Sequence, residues 1–244
     1  MNIYQHIFKK SAEGKKQFAI LVDPDKENED SLETLCELAN QHKVDYLFVG
    51  GSLLTQDCLS DCIEVIKLHT QIPVVLFPGD NLQINSHADA ILFLSLISGR
   101  NPDLLIGKHV ISAPILKEAG LEIIPTGYML IDGGTPSSVS YMSNTTPIPA
   151  NKRDIAVCTA MAGEMLGLKL IFMDAGSGAI NPVSEAVVSA VKKSIDIPLI
   201  IGGGVRSAEK AKALFDAGAD LIVVGNAIEG NKELIGEMAA IINN

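Results

Sequence analysis

The chain has 244 residues, 19 Lys and Arg against 29 Asp and Glu, a formal net charge of −10 and 47% hydrophobic residues. That length suits one α/β barrel of about 250 residues, large enough to bury a core without disulfides or a structural metal. The acidic balance, with no basic run or stripe, argues against a nucleic-acid partner; an anionic ligand stays open, because N–H groups at helix N-termini attract anions whatever the global charge.

In chain order, the opening segment lacks the charged-then-apolar pattern of a signal. No apolar run reaches the roughly 18 residues of a membrane span, so a soluble, cytoplasmic protein is expected. Eight short apolar, β-branched runs follow, at Phe18–Val22, Tyr46–Val49, Val74–Phe77, Ala90–Leu94, Glu122–Pro125, Leu170–Met173, Leu199–Ile201 and Leu221–Val224. Amphipathic stretches near 31–42, 57–70, 102–119, 152–166, 182–194, 206–217 and 229–242 read as helices. This alternation predicts a parallel sheet, and eight strands favour closure into a single-domain (β/α)8 barrel over residues 1–244. An open doubly wound sheet would carry its phosphate-binding glycines after the first strand; here they come late, in DAGSGA, IGGGVRS and VGNAIEG, where a barrel builds its phosphate site. The segment from Tyr128 to Arg153 is too long for a plain crossover and reads as a functional or mobile loop.

Polar residues at the carboxyl ends of barrel strands face the active site. Asp23-Pro24-Asp25-Lys26 stands at the end of the first strand, where its carboxylates suit a hard cation such as Mg²⁺ and Lys26 suits an anionic substrate; the alternative is a turn with Asp25 capping a helix. Ser52, after Gly50-Gly51, is a candidate second metal ligand or an ordinary turn residue. Arg100 is equally a diphosphate partner or an exposed loop arginine. Asp174 is the leading general-base candidate, followed by the small-residue loop Ala175-Gly176-Ser177-Gly178, whose N–H groups can converge on a phosphate. Gly203-Gly204 and Gly225-Asn226 repeat that geometry on the next two units. The five histidines have no zinc or triad spacing. Cys36, Cys58, Cys62 and Cys158 read as buried free thiols in a reducing compartment.

Taken in order, Asp23-Pro24-Asp25-Lys26, Val49-Gly50-Gly51-Ser52, Phe77-Pro78-Gly79, Gly127-Tyr128, Phe172–Ala179, Ile201–Arg206 and Val224–Asn226 resemble one family, from about residue 3 to residue 242. It is the geranylgeranylglyceryl phosphate synthase family, prenyltransferases with a modified barrel that include the bacterial heptaprenylglyceryl phosphate synthases. The resemblance implies ether-bond formation between sn-glycerol 1-phosphate and a polyprenyl diphosphate, geranylgeranyl diphosphate first, with release of diphosphate. It implies Mg²⁺ on Asp25 and Ser52, and glycerol phosphate held by Phe172, Met173, Asp174, Ala175, Gly176, Ser177 and Gly178, by Gly203 and Gly204, and by Gly225 and Asn226, with Tyr128 and Lys26 as further substrate contacts. A homo-oligomer and, from the lipid donor, transient membrane-surface contact are expected as well. Two positions depart from the family pattern, since related members commonly show Tyr and Glu where Phe172 and Asp174 stand. The Leu- and Ile-rich segment Ile91–Ile97 lines a groove for the prenyl tail or is ordinary core. The competing readings are another phosphate-binding barrel enzyme, such as a sugar-phosphate epimerase or isomerase, and a non-catalytic phosphometabolite-binding barrel.

Overall fold

The computed structural model describes residues 2–242. Eight parallel strands close into a barrel in sequence order, from β1 (Gln17–Val22) and β2 (Tyr46–Val49) through β3 (Val74–Leu76), β4 (Ala90–Leu96), β5 (Glu122–Leu130), β6 (Leu170–Asp174) and β7 (Leu199–Gly202) to β8 (Leu221–Val224), which pairs back with β1. The expected (β/α)8 barrel is therefore the fold. Side chains alternate along each strand. Ala19, Phe48, Leu92, Tyr128, Phe172 and Val223 fill the interior, and their neighbours Ile20, Leu47, Ile91, Met129, Met173 and Ile222 face the helices. With both faces buried, the strands read as continuous apolar runs instead of alternating ones.

Helix α1 (Ile3–Ala12), which the sequence patterning did not suggest, precedes the barrel and stoppers its N-terminal end. Ile3 and Ile7, one turn apart, enter the barrel interior. The carboxylate of Glu122 accepts from the N–H groups of Ile3 and Tyr4 at 2.5 and 2.8 Å, satisfying two of the four donors left bare at a helix start. Deeper in, the Tyr46 hydroxyl donates to Gln17 Oε1 at 3.0 Å and lies 2.7 Å from His6 Nδ1.

The crossover helices are α2 (Glu29–Gln41), α3 (Leu59–His69), α4 (Lys108–Ala119), α6 (Arg153–Met165), α7 (Glu185–Lys192) and α8 (Ala208–Ala217). A single π-helical turn, Asp103–Gly107, leads into α4. The last expected helix, 229–242, is two, α9 (Asn226–Gly230) and α10 (Leu234–Ile242). Between β3 and β4 there is no helix, only turns, so the barrel wall lacks its outer layer there. The long connection starts later than expected because β5 runs on to Leu130. Pro125 sits inside that strand; it lacks a donor, but its carbonyl still accepts from Lys169 N at 2.8 Å. Tyr128 is accordingly a strand residue, not a loop residue. The connection itself holds a short helix, α5 (Ser138–Ser143), opened by a capping box at Ser137.

The cysteines are unpaired. Cys36 and Cys62 are buried, which pushes their thiols up to about 11 and about 12. Cys158 is exposed and Cys58 half-buried, against the expectation of burial for all four.

Candidate active site

One cavity of about 730 Å³ opens at the carboxyl end of the barrel. Its polar half is built by the loops after β6, β7 and β8. Gly178, Gly203, Gly204 and Gly225 line it with Ser177 and Asn226, and the N–H groups of Ser177, Gly178, Gly203 and Gly204 have no acceptor among the described residues. Bare donors converging from adjacent turns form an anion site. Gly203 is required by position: at φ +77° a side chain is strained, and a Cβ would stand 2.4 Å from Asp174 Oδ1. Ser177 Oγ donates to Asn226 Oδ1 at 2.9 Å and ties the first loop to the third.

Asp174 ends β6 and points inward with Phe172. Its Oδ2 accepts from the Tyr128 hydroxyl at 2.5 Å and its Oδ1 from Gly176 N at 2.7 Å. Burial pushes its pKa up, and the bonds from Tyr128 and Gly176 pull part of the way back. The Tyr128 hydroxyl is in turn held protonated by burial and by the Asp174 charge. The Phe172 ring stacks on Phe77 at 5.0 Å with an interplanar angle of 7°, and Tyr128 leans on it at 5.6 Å. The three rings floor the cavity.

On the opposite side the acid that faces the cavity is not the one the sequence reading favoured. Asp25 does not line the cavity. Its carboxylate accepts from Thr55 N at 2.6 Å, Thr55 Oγ1 at 2.8 Å, Gln56 N at 3.3 Å and Cys58 Sγ at 3.4 Å. The Thr55 N–H leads the contacts that hold this carboxyl below its usual range. Asp23 lines the cavity in its place, beside Gly51 and Ser52. Ala19 and Leu21 face the barrel interior, and Asp23 continues that alternation before the 3₁₀ turn Pro24–Lys26 rotates Asp25 away. Strand parity likewise turns the Met173 side chain toward the helix layer and away from the cavity. Ala175 and Gly176 are not lining residues either, since their N–H groups are spent on Gly202 O and Asp174.

Lys26 Nζ sits 3.2 Å from Asp23 Oδ2 and 3.2 Å from Glu229 Oε2. Burial works against its charge, but Asp23 and Glu229 outweigh it and raise its pKa. Glu229 and Arg206 are cavity residues that the sequence reading did not single out; Arg206 donates to Ala179 O at 2.9 Å. Another is Gln83, whose Nε2 donates to Gly51 O at 2.9 Å while its Oε1 accepts from Gly51 N and Gly79 N, both at 3.3 Å. Arg100 is exposed, bonds its neighbour Gly99 O and takes no part in the cavity.

The apolar half runs outward through the gap in the helix layer. Ile91 and Phe93 of β4 form one wall, and His109, Ser112 and Leu116 of α4 the other. The segment Ile91–Ile97 thus serves both readings: Leu92 and Leu96 are barrel core that also borders the cavity, and Ile91 and Phe93 line the groove. At its mouth Lys108 pairs with Asp80, and Ser138, Val139, Met142 and Ser143 of the long connection roof the opening.

Fold and cavity define a (β/α)8 barrel whose cavity joins a donor-lined polar half to a second, apolar arm. The PcrB family model matches residues 11–242. A geranylgeranylglyceryl phosphate synthase of Chitinophaga pinensis is 56% identical over 99% of this chain and 96% of its own length. That of Pyrococcus horikoshii is 40% identical over 91% and 87%. The crystal structure of (S)-3-O-geranylgeranylglyceryl phosphate synthase from Thermoplasma acidophilum, in complex with its substrate sn-glycerol-1-phosphate, is similar with a TM-score of 0.93 at 33% identity, covering 99% of this chain and 98% of that one. The chain belongs to the PcrB family, that of the geranylgeranylglyceryl phosphate synthases. It is a prenyltransferase by class, as the sequence resemblance implied.

Proposed function

We propose that the chain transfers a polyprenyl group, geranylgeranyl in the first instance, from its diphosphate to the free hydroxyl of sn-glycerol 1-phosphate. The observation that carries the reading is the two-armed cavity: a crown of bare N–H groups for a phosphomonoester, an apolar groove for a hydrocarbon chain, and a buried carboxylate where they join. The C1–O bond to diphosphate breaks with its electron pair leaving on diphosphate, and an ether bond forms to the glycerol oxygen. The hydroxyl proton passes to Asp174, whose raised pKa makes it a better base than an exposed carboxylate. The shorter Asp in place of Glu is steadied by Tyr128 and Gly176, so the carboxylate is aimed even though it is set back by one methylene.

A divalent cation fits the other side. Asp23 and Ser52 present hard oxygens to the cavity, and Mg²⁺ prefers one or two such ligands plus substrate oxygens and water. When bound it would supply charge neutralisation for the leaving diphosphate. Lys26, already between Asp23 and Glu229, adds a positive charge at the rim. The donor is a lipid, so the reading includes transient contact with a membrane surface; no described helix is long and apolar enough to cross one. Self-association is part of the reading too, checked by sedimentation.

The test is product formation from labelled sn-glycerol 1-phosphate and geranylgeranyl diphosphate, with and without Mg²⁺, followed by organic extraction. Magnesium-dependent label in the organic phase is the expected result. No transfer with that donor or longer ones would refute the proposal and turn attention to the isomerase chemistry of phosphate-binding barrels.

A further inference from the structure

The polar half of the cavity contains a carboxylate that its ligands do not explain. Glu229 lines the cavity from α9, with 23% of its side chain exposed. Both substrates of the proposed reaction are anions, and a lone carboxylate facing them opposes their binding. Its bonds suggest what it is for. Both of its oxygens accept from Lys26 Nζ, at 3.3 and 3.2 Å, and Oε2 also accepts from Asn226 Nδ2 at 3.4 Å. Lys26 Nζ stands equally close, 3.2 Å, to Asp23 Oδ2. One ammonium is thus shared between an acid on the turn after β1 and an acid on the helix after β8, and those two strands are paired in the barrel wall.

We propose that Glu229 is a positioning residue that anchors Lys26 at the rim, so that the lysine serves the diphosphate while Asp23 serves a divalent cation. The inference rests on the proposed function. A lysine tied to Asp23 alone competes with a cation for the same oxygens and repels it across a few ångströms. Glu229 supplies a second anchor on the far side of the ammonium, away from Asp23. An ammonium has three donors; held on Glu229, Lys26 can give up Asp23 and turn the freed N–H to a diphosphate oxygen without swinging out into solvent. The sign of the effect is what sets this role apart. Neutralising an acid in an anion site should by charge alone tighten anion binding, whereas neutralising the anchor of Lys26 should weaken it.

The experiment is calorimetry with inorganic pyrophosphate in saturating Mg²⁺, and separately with sn-glycerol 1-phosphate, on the wild-type chain, Glu229→Gln, Lys26→Met and the double variant. Glu229→Gln keeps the side-chain length and an oxygen for Asn226 Nδ2 and loses only the charge. Its Kd for magnesium pyrophosphate is expected to rise about 2- to 5-fold, the range for one partly exposed ion pair, with the Kd for glycerol phosphate no weaker than in wild type. In the Lys26→Met background the same substitution should no longer weaken pyrophosphate binding. Unchanged or tighter pyrophosphate binding in Glu229→Gln, an equal weakening with Lys26 absent, or a parallel loss of glycerol phosphate affinity would each overturn the anchor. Wild-type protein that binds neither ligand is a different failure, which removes the proposed function and this inference with it.

Discussion

Replacing Asp174 with Asn tests the assignment of the base with the least disturbance to the cavity. The amide has the same shape, its oxygen can keep the 2.7 Å bond from Gly176 N, and its NH₂ faces the Tyr128 oxygen that now donates at 2.5 Å. General-base removal costs about 10²- to 10⁴-fold in rate, about 3–5 kcal/mol of barrier, and kcat for labelled lipid formation should fall by that factor. Stability should move the other way. Burial raises the Asp174 pKa above its ordinary 3.8, so between the two values the native state binds more protons than the unfolded one and stability falls as pH rises. At neutral pH the ionised carboxylate is a net cost, and Asp174→Asn should melt higher than wild type at pH 7, with the difference closing as the pH is lowered toward the unfolded value. A variant with unchanged kcat would refute the catalytic role. One that lost activity and also melted lower at pH 7 would refute the claim that this carboxylate is paid for by function and not by the fold.

Tyr128→Phe removes a hydroxyl that lowers the Asp174 pKa, so the acidic limb of the kcat/KM profile should shift to higher pH; an unshifted limb would separate Tyr128 from the base. Asp23→Asn should weaken Mg²⁺ dependence severely, by at least about tenfold as for loss of a charged ligand contact, with glycerol phosphate affinity retained in calorimetry. Asp25→Asn should instead act through the 55–58 segment it holds, and a larger loss of metal dependence there than at Asp23 would restore Asp25 as the ligand. Glu122→Gln weakens the charged cap on α1, worth about 0.5–2 kcal/mol, and should lower Tm by about 1–8 °C without changing kcat; an unchanged Tm would show that α1 is held by Ile3 and Ile7 alone.

Every strand was legible because burial on both faces leaves an apolar run that survives without an alignment. The strand limits were less so. Pro125 and Gly127 disguised the second half of β5 and with it the place of Tyr128. That Asp23 and not Asp25 faces the cavity was readable, since Ala19, Leu21 and Asp23 share a parity that the sequence already contains; what it did not contain was the four-bond clasp on Asp25. Met173 faces the helix layer by the same parity. Helix α1 left only a weak signal, the N-cap Asn2 and two isoleucines one turn apart, because the carboxylate that satisfies its first two N–H groups lies 119 residues away at Glu122. Gln83 was invisible for a similar reason: its partners are backbone atoms of two separate turns.

The absent helix between β3 and β4 bears on the order of events in a catalytic cycle. A closed wall would force both reactants through the barrel mouth, one behind the other. With the flank open, a tail can enter sideways along β4 while the axial entrance above the glycine loops stays free. Under the proposed reading neither reactant needs to leave before the other arrives, and no side chain has to carry the prenyl group between them. The kinetic form of such a site is a ternary complex with intersecting double-reciprocal lines, not the parallel lines of a covalent relay.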